Sequence, residues 1–112
     1  MAVTEKTAGS QTATLDTEHT LATVADPGIY VLRVDLANLS AGDIVTLRIK
    51  TKARNATDTE RLLHHATYGP VAPTEKLADS IPVVATGRLV ATLEQTDGTG
   101  RAFPWVILST GA

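Results

Sequence analysis

Apolar and polar residues alternate with a period of two over much of this chain, and that alternation restricts its fold more than any other feature. Between Asp43 and Lys52, Val45, Leu47 and Ile49 alternate with Thr46, Arg48, Lys50 and Lys52. An extended backbone puts the first set on one face and a polar, basic row on the other. The segment from Gly28 to Leu36 does the same, with Tyr30, Leu32, Val34 and Leu36 opposite Val31, Arg33 and Asp35. A helix, with 3.6 residues per turn, would scatter both sets around its axis. The pattern returns at His19–Val24, at Leu89, Ala91 and Leu93, and at Phe103, Trp105 and Ile107. Near the start, "SQTATL" is rich in threonine, which favours extended backbone.

Turn residues punctuate these segments. Asn38, Ser40, Gly42 and Asp43 predict a hairpin between the two best strands, and Pro27-Gly28 predicts a turn before the first of them. "TDGTGRAFPW", Thr96–Trp105, has two readings. Gly98 and Gly100 followed by Arg101 look like the start of a phosphate loop, but such a loop needs a following helix and, in its Walker form, a lysine and a Ser or Thr. Here Ala102, Phe103 and Pro104 follow instead. Asp97-Gly98 therefore predicts a second hairpin, and Pro104, which has no N–H to donate, places the last strand at a sheet edge or at a bulge. Arg54–Glu60 reads as a polar loop leading into the strand Arg61–Tyr68. Pro70–Pro82, with three prolines, is the least regular stretch, with at most one helical turn at Thr74–Ala78.

Seven to eight short strands with turn signals every ~8–12 residues mean an all-β chain: a single-domain antiparallel β-sandwich or barrel. At 112 residues there is room for one such core. The core is expected from Leu32, Val34, Val45, Leu47, Ile49, Leu89, Leu93, Phe103 and Ile107. Residues 1–11, small and polar, are expected to be a flexible arm that orders on a partner, leaving 12–112 as the sandwich domain.

Composition excludes more functions than it suggests. There is no cysteine, so neither a disulfide nor a thiolate metal site is available. Ten basic and 12 acidic residues leave a formal charge of −2, which argues against a nucleic-acid partner. No run is long and apolar enough for a membrane span or a signal peptide, so the expectation is a soluble protein made in the cytoplasm, without a membrane partner. His64 and His65 are neighbours on an extended segment and point to opposite faces, and His19 lies far away in sequence, so no metal site is assigned. Ser10, Ser40, Ser80 and Ser109 show no nucleophile-elbow pattern, and Asp58 and Glu60 lie in a polar loop that would not separate their pKa values. Asn38-Leu39-Ser40 and Asn55-Ala56-Thr57 match the glycosylation sequon, which has meaning only in a secretory pathway. No catalytic residue and no cofactor are expected, and the chain is read as not an enzyme. Tyr30, Tyr68, Phe103 and Trp105 could line a sugar platform, or be core. Partner contacts are placed at Thr4, Lys6 and Ser10 of the arm and at Arg48, Lys50 and Lys52 of the basic row.

The run "TLDTEHTLATVADPGIYVLRVDLANLSAGDIVTLRIKTK", with "TLEQTDGTGRAFPWVILSTG", resembles small β-rich proteins encoded among the virion-structure genes of tailed bacteriophages and related prophages. The resemblance extends from about Gly9 onward and contains no diagnostic motif, so it assigns no residue a role. It implies a capsid decoration or cement protein on the virion surface that binds and stabilises the assembled head. The implied partners are the major capsid protein and further copies of itself, as a dimer or trimer. The alternatives are another minor head or tail component, or a carbohydrate-binding or adhesion module.

Overall fold

The computed structural model describes residues 3–53, 58–71 and 74–110. Nine strands follow one another along the described chain: β1 (Val3–Thr12), β2 (Glu18–Val24), β3 (Gly28–Asp35), β4 (Ile44–Thr51), β5 (Arg61–Tyr68), β6 (Leu77–Asp79), β7 (Val83–Ala85), β8 (Leu89–Asp97) and β9 (Ala102–Thr110). They form two antiparallel sheets. The first runs β1-β9-β3 and ends on β6 and β7, which share the far edge of β3; the second runs β2-β8-β4-β5. With β6 and β7 taken as one interrupted strand, this is the strand order of a jelly roll.

The two sheets pack through their alternating apolar rows. All nine expected core residues are buried, joined by Tyr30, Leu36, Val83 and Ala91 among others. Sandwich rather than barrel is the outcome, because β1 and β2, the strands that would have to join, are hydrogen-bonded to β9 and β8 and not to each other.

Four expectations are corrected by this arrangement. The turn at Asn38–Asp43 is not a hairpin, since β3 belongs to the first sheet and β4 to the second. The turn at Asp97-Gly98 likewise carries the chain from β8 in one sheet to β9 in the other. Turn chemistry reverses the chain but does not decide whether the next strand lies beside the last or across the core from it. Strand β9 is central, between β1 and β3, and not an edge. Its ladder to β3 stops at Val34 opposite Trp105, so Pro104 lies just beyond that ladder, where a missing N–H interrupts no pairing with β3. Finally, Thr74–Ala78 forms no helical turn; Leu77–Asp79 is a short strand.

The expected arm is also placed differently. From Val3 to Thr12 it is the outer strand of the first sheet, paired along its length with β9 and shifted in register between Glu5 and Thr7. Backbone hydrogen bonds and a close side-chain fit substitute for the apolar side chains it lacks. Gly9 lies opposite Trp105, and a Cβ there would sit 3.0 Å from the indole Cζ2. The sequon at Asn55 and the first four residues of the loop Arg54–Glu60 lie outside the described residues.

Edge irregularity has a local cause. Between β6 and β7 the chain passes Ser80, Ile81 and Pro82, and Ser80 takes over the ladder there. Its N–H donates to Leu32 O at 2.9 Å, and its Oγ accepts from Leu32 N–H at 3.0 Å.

Candidate functional site

Three regions gather polar or exposed groups. At one end of the sandwich the loops β1–β2, β3–β4 and β8–β9 meet around Asp43, whose residue surface is 1% exposed. Its Oδ2 accepts from Ser40 N–H and Arg101 Nε, both at 2.9 Å, and its Oδ1 accepts from Thr99 N–H at 3.1 Å. Gln95, fully buried, donates from Nε2 to the carbonyls of Asp97 (3.0 Å) and Thr99 (2.7 Å), while its Oε1 accepts from Arg101 N–H at 3.2 Å. Gly98 has φ +89°, and a Cβ on it would lie 1.9 Å from Asp43 Oδ1, so only glycine lets this loop close over the carboxylate. Among the described residues no buried side-chain nitrogen or oxygen lacks a partner. The buried groups of the cluster are satisfied from within, and together they brace the loops.

The outer face of the second sheet is wet and charge-balanced. Arg48 Nη1 lies 2.8 Å from Glu94 Oε1 and 3.8 Å from Glu18 Oε2, Lys50 Nζ is 2.9 Å from Glu18 Oε2, and Thr92 Oγ1 donates to the same oxygen at 2.6 Å. The basic row seen in the sequence thus meets carboxylates from β8, beside it, and from β2, one strand further out on the same side. Neither is visible from the local pattern, because Glu18 and Glu94 are remote in sequence from Arg48. Lys52 follows the end of β4. Of the arm residues, Lys6 falls at the register shift of β1 and pairs with Asp26, Thr4 lies opposite Ser109, and Ser10 opposite Pro104. The six residues assigned to partner contact therefore do not form one site.

Burial pushes the Asp43 carboxyl up, but its hydrogen bonds from Ser40 and Thr99 and the Arg101 guanidinium hold it below the ordinary value. Glu18 is lowered by its hydrogen bonds with Thr92 and Lys50, and Asp79 by Arg33. Each carboxylate titrates lower when folded than when unfolded. Each therefore adds stability above the unfolded range near pH ~4 and loses it as pH falls through the folded value. Thermal melts should be flat from neutral pH down to about pH 5 and fall below pH ~4, with a shallower fall in Asp43→Asn. An acid limb of equal slope in that variant would remove Asp43 from the account.

The histidines separate as the alternation requires: His64 is half-buried and lines the cleft between β5 and β6 with Leu47, Tyr68 and Asp79, whereas His65 is exposed opposite Arg48. No group of three metal-ligating side chains comes together among the described residues. Tyr30 and Phe103 are buried, and Tyr68 and Trp105, half-buried, pack against the core from its margin.

The third region was missed by pattern reading. On the outside of the first sheet, cross-strand register aligns Val84, Ile29, Thr110 and Val3 in one row and Val31, Leu108 and Glu5 in the next. A third row joins Asp79, Arg33, Val106 and Ala8. Val84 is 69% exposed, Val3 63% and Leu77, on β6, 57%. The signal was present in "GIYV" and "VIL", where apolar residues occupy both faces of the strand, but only the sheet order brings them side by side. No family model matches this chain, no curated protein matches it, and no solved structure matches it.

Proposed function

We propose that this chain is a structural protein of a virus particle, attached to the assembled head as a decoration or cement subunit. The observation that carries the reading is the apolar outer face of the first sheet, set against the ion-paired, solvated outer face of the second. A contiguous exposed aliphatic surface favours contact with another protein surface, while an even mixture of charges suits solvent. Such a subunit works through surfaces. Whatever binds only the assembled form of a particle stabilises that form by mass action, and the effect grows with the logarithm of its concentration once that exceeds the dissociation constant. The resemblance to virion-structure proteins supplies the particle, and the jelly-roll strand order is one that capsid domains share with lectins. The lectin-like alternative draws less support, because an aromatic platform needs exposed rings, and here Tyr30 and Phe103 are buried while Tyr68 and Trp105 are half-buried against the core.

The test is to purify particles from a host that carries the gene and to quantify this chain against the major capsid protein. Stoichiometric copies are expected, together with a loss of heat resistance in particles that lack the chain and its recovery when purified protein is added. Particles free of the chain would overturn the reading.

A further inference from the structure

We infer that the outer face of the first sheet is the surface on which two copies of this chain pack, sheet against sheet, about a two-fold axis. The inference deepens the functional reading, and rests on it only in taking this face as an assembly surface.

Chemistry singles out a second copy as the occupant. The exposed and half-exposed residues on the central strands of the face include Ile29, Val31, Val106 and Leu108, with Val84 at its rim, all five aliphatic and with no aromatic ring among them. Homodimer interfaces are more apolar than other protein contacts, and a face without Trp, Tyr or a free Arg lacks the anchors that dominate most hot spots. The one arginine on the face is already committed: Arg33 Nε and Nη2 donate to the two carboxylate oxygens of Asp79 at 2.7 and 3.0 Å. No charge pattern remains at the centre to select an oppositely charged partner, and the acidic residues Glu5, on the outer strand, and Asp35, whose Oδ1 accepts from Ala37 N–H at 2.8 Å, flank the apolar band. A two-fold axis through that band sets aliphatic rows on aliphatic rows and keeps the flanking acids apart.

Geometry agrees in scale. Four strand positions spaced ~4.8 Å, each about eight residues at ~3.3 Å, give roughly 500 Å² of face per copy, so pairing would bury about 1,000 Å², the lower bound for a specific interface. Two copies of one sheet carry the same twist and can pack in the aligned, ~30° manner of a sandwich.

The full chain is examined by sedimentation equilibrium across the micromolar range, alongside Leu108→Glu, Val84→Lys and, on the opposite outer face, Thr20→Lys. Val84 projects from the rim and its replacement does not threaten folding, which circular dichroism and a thermal melt verify for each variant. The wild type and T20K should dimerise at tens of micromolar, while L108E and V84K should stay folded and weaken the dimer at least tenfold. A wild-type dimer indifferent to both substitutions would overturn the inference, since pairing would then use another surface. A monomeric wild type whose L108E variant no longer attaches to particles would also overturn it, because the face would then dock on a foreign subunit; the decoration reading would survive. A dimer lost in L108E in a chain absent from particles would leave the inference standing without that reading.

Discussion

Asp43→Ala is expected to cost about 3 kcal/mol and to lower the melting temperature by roughly 10 °C. The carboxylate is nearly inaccessible and satisfies Ser40 N–H, Thr99 N–H and the Arg101 side chain together. Alanine would leave both amides without their acceptor and strand a guanidinium that is only 34% exposed. Breaking a fully buried pair costs about 3–5 kcal/mol, and the partial hydration of Arg101 places this case at the lower end. The loops β3–β4 and β8–β9 should loosen together, because Asp43 lies on the first and both Thr99 and Arg101 on the second. Hydrogen exchange can read that directly: faster exchange at Ser40 and Thr99, with the amides of Val34 and Ile107 still protected. A melt within two degrees of wild type would show that the cluster does not brace the fold.

Phe103→Ala should be the more damaging core change, at about 3–5 kcal/mol. Phe103 has no exposed surface, is the only phenylalanine in the chain, and faces the second sheet from a central strand of the first. Its removal leaves a cavity between two sheets whose backbones are held by ladders on both sides, so collapse to fill it is limited. In a domain whose whole stability is about 5–15 kcal/mol, urea melts should show a clearly lower midpoint with an unchanged slope. Phe103→Leu should recover most of the loss, since it retains apolar volume. If alanine were tolerated with under about 1 kcal/mol of loss, Phe103 would not be the packing centre that its burial indicates.

Much of the interior was legible in sequence. Period-two placement identified Leu32, Val34, Val45, Leu47, Ile49, Leu89, Leu93, Phe103 and Ile107 as core, and all are buried. The split of His64 and His65 between faces followed from the same rule. The candidate surface was less legible. Arg48 and Lys50 read as a basic row because their carboxylate partners, Glu18 and Glu94, arrive on strands far away in the chain. The apolar outer face of the first sheet was hidden for the same reason: Ile29, Leu108 and Val84 come from three separate segments, and only register makes them neighbours.

That this chain is built of strands, which side of most strands faces inward, and where the chain reverses all follow from side-chain alternation and from residues with unusual backbone freedom, both local properties. Tertiary structure alone decided which strand lies beside which. The turns at Asn38–Asp43 and Asp97-Gly98 could have closed hairpins, and instead each crosses the core. The polar segment Val3–Thr12 could have remained free, and instead β9 pairs with it along its length. The physical reason is that a backbone ladder is indifferent to sequence, so the choice among possible neighbours is made by burying both inner faces at once, a condition that no single segment contains.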